Sequence, residues 1–286
     1  MALFIVFITA AAWVMGEALG YGPSLIGWGL VLSGFMSFGS YWFSDRIILA
    51  ISNARPATRE EFFDFYTVAE NLSMAARIPR PKLYVIDDSA MNAFATGRDP
   101  EHAVVCATTG ILSRLNRTEL EGIVAHELSH IRNYDMRLMS IVTILVGFIT
   151  LLSDWFIRAS FWGGRRRSRD RNDSGQLQAI IAIAGVVLAL LSPIIAKLIQ
   201  LALSRRREYF ADAAAVQLTH QPSGLISALQ KLASDREPLE AANKATAHLY
   251  MVNPLKNRHD SIGWFASFFS THPPIEERIK MLQSMY

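Results

Sequence analysis

The chain has 286 residues, of which 51% are hydrophobic and only 19% charged, with a mean hydropathy of +0.22. Soluble domains run near a quarter charged, so this composition implies apolar surface that water should not see, and it excludes a disordered tail, a collagen-like repeat or a disulfide-stapled mini-protein. A net charge of +3, without a basic helix or an aromatic-interleaved patch, gives no nucleic-acid partner.

The apolar residues lie in two pairs of runs. Ala2 to Leu19 and Leu25 to Phe43 are nearly unbroken, flank the turn-forming Gly20-Tyr21-Gly22-Pro23-Ser24, and are each about 18–20 residues long. That length crosses a hydrocarbon core at about 1.5 Å per residue, so residues 1–50 are predicted to form a transmembrane hairpin. A cleaved signal peptide fits poorly, because no basic segment precedes the first run and a second span follows at once. Glu17 sits near the end of the first run, where a carboxylate reaches the interface.

Residues 51–137 read as a compact α+β unit. Thr58-Arg59-Glu60-Glu61 matches a capping box opening a helix to about Arg77, with Phe62, Phe65, Tyr66, Ala69 and Leu72 on one face and Pro79 and Pro81 beyond it. Lys82–Ile86 and Ala103–Thr108 are strand-like, and Asn92–Gly97 pairs between them as a short strand. Cys106, the only cysteine, falls in an apolar strand pattern and reads as a buried, inert thiol.

His126-Glu127-Leu128-Ser129-His130 is an H-E-x-x-H motif. Thr118-Glu119-Leu120-Glu121 resembles a second capping box, and Leu120, Ile123, Val124, Leu128 and Ile131 form a helical apolar stripe, so the motif lies within a helix. Imidazoles four residues apart stack on one face and can bind one tetrahedral metal ion, while Glu127, one step round, reaches a metal-bound water. A catalytic site of this kind needs a third protein ligand and an open position. No H-x-x-G-x-x-H extension follows, so the third ligand is sought as a carboxylate on a later helix.

Between the polar blocks, residues 138–203 carry the second hydrophobic pair, Leu138 to Trp162 and Leu177 to Leu203. These are interrupted by Asp154, Arg158, Pro193 and Lys197 and joined by the arginine-rich loop 165–171. Arg46, Arg55, Arg59, Arg137, Arg205, Arg206 and Arg207 place both polar blocks on the cytoplasmic face, and a full second hairpin then puts five arginines outside, against the positive-inside rule. Spanning and interfacial arrangements both stay open. Residues 204–286 are mostly helical by periodicity, with loops at Gln221-Pro222 and Asn253-Pro254 and a last helix from Ile275 to about Ser284. Glu208 and Asp212 share a helical face: one can ligate while the other orients a ligand histidine. Spacing alone equally allows Glu208 to pair with its neighbouring arginines on a solvated helix end.

The H-E-L-S-H of 126–130, Asp135, Ser204 to Asp212, Thr271-His272-Pro273-Pro274 and the preceding Asn92 to Gly97 occur in this order among four hydrophobic segments. Together they resemble the HtpX family, membrane-bound zinc proteases of bacterial and archaeal quality control, related to the CAAX prenyl proteases. The resemblance covers essentially the whole chain. It implies a mainly helical α+β integral membrane protein with two hydrophobic hairpins and a zincin-type catalytic domain carrying a small β-sheet. That domain is split between 51–137 and 204–286. The resemblance further implies one zinc ion per subunit held by His126, His130 and Glu208, with Glu127 as general base and Asp212 as the carboxylate behind the metal. His272 and Arg278 stand near the transition state, and Asn92 and Ala93 line the substrate cleft. The implied activity is endopeptidase action on misfolded or damaged membrane proteins, from a multi-pass position in the inner (plasma) membrane with the catalytic domain facing the cytoplasm. Partners are then protein substrates, the lipid bilayer and other quality-control proteases or regulators. Few hydrophobic segments argue against an enclosed processing chamber, a lone cysteine against a closed structural zinc site, and the lack of internal repeats against a transporter.

Overall fold

The computed structural model describes residues 24–144, 205–235, 249–251 and 273–285, with isolated positions besides. By contact the chain divides into two units, Met1–Trp42 with Leu145–Lys197 and Phe43–Ile144 with Leu198–Tyr286. Of the first, α1 (Ser24–Trp42) is described. It inverts the usual helix surface: Trp28, Phe35 and Phe38 are exposed while Ser33, Ser37 and Ser40 are buried. No helix among the described residues is long and apolar enough to cross a membrane. Most of the first predicted run, and the second hairpin beyond residue 144, lie outside the described residues.

The second unit is mainly helical around a small mixed sheet. It comprises α2 (Ser44–Ile51), β1 (Arg55–Pro56), α3 (Phe63–Ala76), β2 (Lys82–Ile86), β3 (Ala93–Thr96), β4 (Val104–Thr108), α4 (Thr109–Arg114), α5 (Arg117–Arg132), α6 (Arg205–Thr219), α7 (Pro222–Ser234) and α8 (Ile275–Gln283). The strand order is β1-β2-β4-β3, with β2 and β4 parallel and both outer pairs antiparallel. β4 is buried throughout, which is why Val104-Val105-Cys106-Ala107 runs apolar without alternation. Cys106 is fully buried, and burial pushes its thiol well above the ordinary range, as expected of an inert cysteine.

α3 starts later than its sequence pattern predicts. The Glu61 N–H does donate to Thr58 Oγ1 at 3.3 Å, but the Glu61 carboxylate reaches Arg55 at 2.6 Å, which also holds Asp87. The box is therefore half made, it closes only a turn, and the helix begins at Phe63. Its far end stops at Arg77, which is left-handed at φ 56°. The cap of α5 also differs from the sequence pattern. Asn116, not Thr118, is the N-cap: its side chain accepts from the Glu119 N–H at 3.0 Å, and Glu119 accepts from the Asn116 N–H at 2.8 Å. Both registers satisfy the same short pattern, and the residue that precedes the helix wins.

α5 is buried along most of its length, among α3, α6, α7 and the sheet. Ile123, Val124, Leu128 and Ile131 enter one core with Phe65, Leu72, Val85, Val105, Leu225, Leu229 and Leu282. Burying an aliphatic side chain of this size contributes about 1.5–3 kcal/mol. Two glycines let the backbones meet: a Cβ on Gly122 would stand 2.8 Å from the Leu225 backbone, and one on Gly224 would stand 2.6 Å from the Thr118 carbonyl. α5 is thus clamped rigidly beside the sheet, and the histidines lie on this clamped helix.

Candidate metal centre

His126 and His130 lie one turn apart on α5, both buried, with ring centroids 4.8 Å apart and planes near perpendicular. Their Nε2 atoms converge to 3.2 Å. Glu208, in the first turn of α6, sets Oε2 at 3.7 Å from His126 Nε2 and Oε1 at 3.5 Å from His130 Nε2. Two ligands at about 2.0–2.1 Å in tetrahedral geometry would sit about 3.4 Å apart, so these spacings fit a single ion. The three residues form the one group of metal-ligand type among the described residues, with one donor atom from each within 4.8 Å of the others. Glu208 therefore faces the histidines, not the solvated helix end that its spacing also allowed.

Each imidazole is backed by a carboxylate. Asp212, one turn beyond Glu208 on α6, places Oδ1 2.9 Å from His126 Nδ1. Arg278 of α8, fully buried, grips Asp212 with Nε and Nη2 at 2.8 and 2.6 Å. Arg278 Nη2 also lies 3.4 Å from His126 Nδ1, but both carry protons when Nδ1 donates to Asp212, so this is proximity and not a bond. Burial opposes the Asp212 charge; the Arg278 guanidinium and the His126 hydrogen bond overcome it and hold the carboxyl down at about 2. Arg278 Nη1 has no hydrogen-bond partner among the described residues and stands 3.7 Å from Glu208 Oε2. The fit to a metal ion rests on the donor set, two imidazole nitrogens and a carboxylate converging within 4.8 Å, which is the ligand type of a catalytic zinc site; the buried Arg278 donor calls instead for an acceptor.

On the other side, His130 Nδ1 lies 3.3 Å from Asp135 Oδ2, and Asp135 Oδ1 is 3.3 Å from Arg207 Nη1. Burial opposes the charged imidazole, yet the Asp135 hydrogen bond and the Glu208, Glu127 and Asp135 charges outweigh it and raise His130 to about 9. Glu127 is buried next to both: its charge acts on His130 and on Arg278, and also on Cys106 of β4.

β3 brings Asn92 and Ala93 beside this region, since Phe94 pairs with Cys106. Both are buried. Asn92 exchanges bonds with Thr108, and the outward Ala93 carbonyl accepts from the Met251 N–H at 3.2 Å while Tyr250 stacks edge-on against Phe94 at 5.2 Å. Residues 249–251 thus lie along the outer edge of β3. His272 falls outside the described residues. Sequence reading did not attach Arg207 to the site, nor Asp135 to His130; their only signal is their position at the two ends of the segment between the metal-site helices.

The model of peptidase family M48 matches residues 61–286. A Protease HtpX homolog from Dictyoglomus turgidum is 46% identical over 99% of this chain and 88% of its own length. Another from Thermoanaerobacter pseudethanolicus is 45% identical over 86% of this chain and 80% of its own. Among solved structures, Ste24p of S. mikatae superposes with a TM-score of 0.53 at 20% identity, over 96% of this chain and 62% of that longer one. That likeness bears on the fold alone. The chain belongs to peptidase family M48, with the HtpX proteases, and is a metalloprotease.

Proposed function

We propose that this chain is a zinc endopeptidase in which His126, His130 and Glu208 hold one ion and Glu127 is the general base, acting on misfolded or damaged membrane proteins. The observation that carries this reading is the convergence of three buried donor atoms on one point, with an HExxH glutamate beside them. When bound, zinc supplies Lewis-acid polarisation of the scissile carbonyl and lowers the pKa of attacking water toward neutrality. The protein side chains do the rest. Glu127 accepts the proton of the attacking water and returns it to the leaving amine. Asp212 fixes the His126 tautomer, and Arg278 holds Asp212 in place. Arg278 Nη1 is the remaining buried donor, suited to negative charge growing on the substrate carbonyl, a role that His272 shares by resemblance only. The substrate adds as a strand beside β3 near Asn92 and Ala93, taking over the Ala93 carbonyl from Met251.

A membrane position is supported by the outward Trp28, Phe35 and Phe38 of α1 and by the apolar runs of the sequence. The arginines flanking the first pair of runs and both polar blocks support an inner-membrane, multi-pass arrangement with the catalytic unit toward the cytoplasm. Residues 138–203 form the second hydrophobic hairpin, in a spanning or an interfacial arrangement. Other quality-control proteases or regulators would meet it there. The test uses the full-length protein with Glu127→Gln and Glu208→Ala. Glu127→Gln keeps zinc and loses cleavage of an unfolded protein substrate, whereas Glu208→Ala loses both. Unchanged proteolysis in the first, or normal zinc in the second, overturns the assignment.

A further inference from the structure

The two ends of the segment between the metal-site helices meet at His130. α5 ends at Arg132, and Tyr134 takes a left-handed backbone at φ 59° before the chain turns helical again at 135. That break is needed. On a continuous helix residue 135 would stand about 140° round from residue 130 and face away from it; after the break its carboxylate returns to His130 Nδ1 at 3.3 Å. Seventy-two residues later in the chain, Arg207 in the first turn of α6 reaches the other oxygen of the same carboxylate at 3.3 Å. Asp135 is largely buried, with 12% of its side chain exposed, and Arg207 is 30% exposed.

We propose that Asp135 is a positioning residue for His130, held in place by Arg207 from the first turn of α6, so that the His130–Asp135–Arg207 chain orients His130 for the metal. This rests on the metal-site reading above. Asp135 accepts from Nδ1–H, which fixes the tautomer that leaves Nε2 free to ligate. Arg207 does not touch the imidazole; it fixes the rotamer of Asp135 and balances its charge. The ion pair thereby links entry to and exit from the hydrophobic segment with one ligand of the catalytic metal.

The test is a double-mutant cycle on the full-length protein in detergent, reading zinc affinity by chelator competition and the visible absorption of the cobalt-substituted protein. Asp135→Asn weakens zinc binding about 10–100-fold, the range found for such outer partners, and shifts the cobalt bands. Arg207→Met weakens it several-fold, Arg207→Lys restores it, and Arg207→Met adds nothing once Asp135→Asn is present. Affinity within twofold of the parent in Asp135→Asn overturns the proposal, as does an Arg207→Met effect that adds in full on that background. A merely structural pair would lower the thermal midpoint and leave affinity and spectrum unchanged. Glu208→Ala is the control: if it binds zinc as well as the parent, the metal-site reading itself has failed.

Discussion

His126 and His130 sit on the same helix face, yet their carboxylate partners differ in almost every physical respect. The His126–Asp212–Arg278 arm is closed from water, has contacts of 2.6–2.9 Å, and draws its members from α5, α6 and α8. The His130–Asp135–Arg207 arm has contacts of 3.3 Å and a partly exposed arginine. A buried ion pair has already met its desolvation cost, and losing one partner strands a charge in low dielectric. The second pair reaches solvent through its arginine, so water can partly take the place of a missing partner. One imidazole is therefore fixed by the fold, and the other by a contact that can be altered without unfolding the protein.

The sharpest way to break that distinction is to remove the two arginines separately. Arg278→Met leaves the buried Asp212 charge with the His126 hydrogen bond but without its cation, and is expected to cost about 3–5 kcal/mol of stability. Arg207→Met is expected to cost about 1 kcal/mol or less, with its effect concentrated in zinc affinity. Chemical denaturation of the metal-free proteins measures both. Equal losses would mean that the difference in burial does not govern the two arms.

A second class of variant moves both arms together, because both start from α5. Gly122→Ala places a methyl group 2.8 Å from the Leu225 backbone, where no side-chain rotation relieves it. The helices must separate, at an expected cost of about 1–3 kcal/mol. Since His126 and His130 move with the helix, zinc binding falls in step with stability, unlike in the Arg207 variant. A stable Gly122→Ala protein with normal zinc affinity would show that the α5–α7 contact does not set the site geometry.

The contrast between the arms also marks how far the sequence could be read. His126, Glu127 and His130 are legible because chemistry and helical period coincide over five residues, and Glu208 and Asp212 repeat that period on one face. Asp212's partner could not be derived from spacing: Arg278 lies 66 positions away, and only the packing of α8 makes it a buried ion pair instead of a surface arginine. Asp135 was visible within the motif pattern, but its link to His130 depends on the left-handed Tyr134, which has no propensity signal. Strands β2 and β4 follow from apolar, β-branched runs, whereas β1 is two residues long and exists through pairing with Val85 and Tyr84. The cap of α5 was misplaced by two residues because local patterns cannot choose between overlapping registers; Lys231 and Ser227 of α7, which grip Glu119, help make that choice.

Glu119 provides an effect that pH can dissect. Its carboxylate is buried and accepts from Lys231 Nζ at 2.7 Å, Ser227 Oγ at 2.6 Å and the Asn116 N–H at 2.8 Å. Burial opposes its charge, but these three donors outweigh burial and hold its pKa below the usual glutamate range. A carboxyl whose folded pKa is depressed contributes stability that is present above its unfolded pKa, about 4.3–4.5, and is lost as pH falls through the folded value. Glu119→Gln keeps the shape and gives up the charge-assisted bonds, at an expected cost of about 1–2 kcal/mol at pH 7. The gap to the parent should then narrow below about pH 4.5, as the parent's own carboxyl takes up a proton. Because this cap anchors α5 upstream of both histidines, its loss lowers stability without favouring either arm. If unfolding curves show a gap independent of pH from 7 to 3, neutral packing holds the helix start, and the capping charge is not what seats the metal helix.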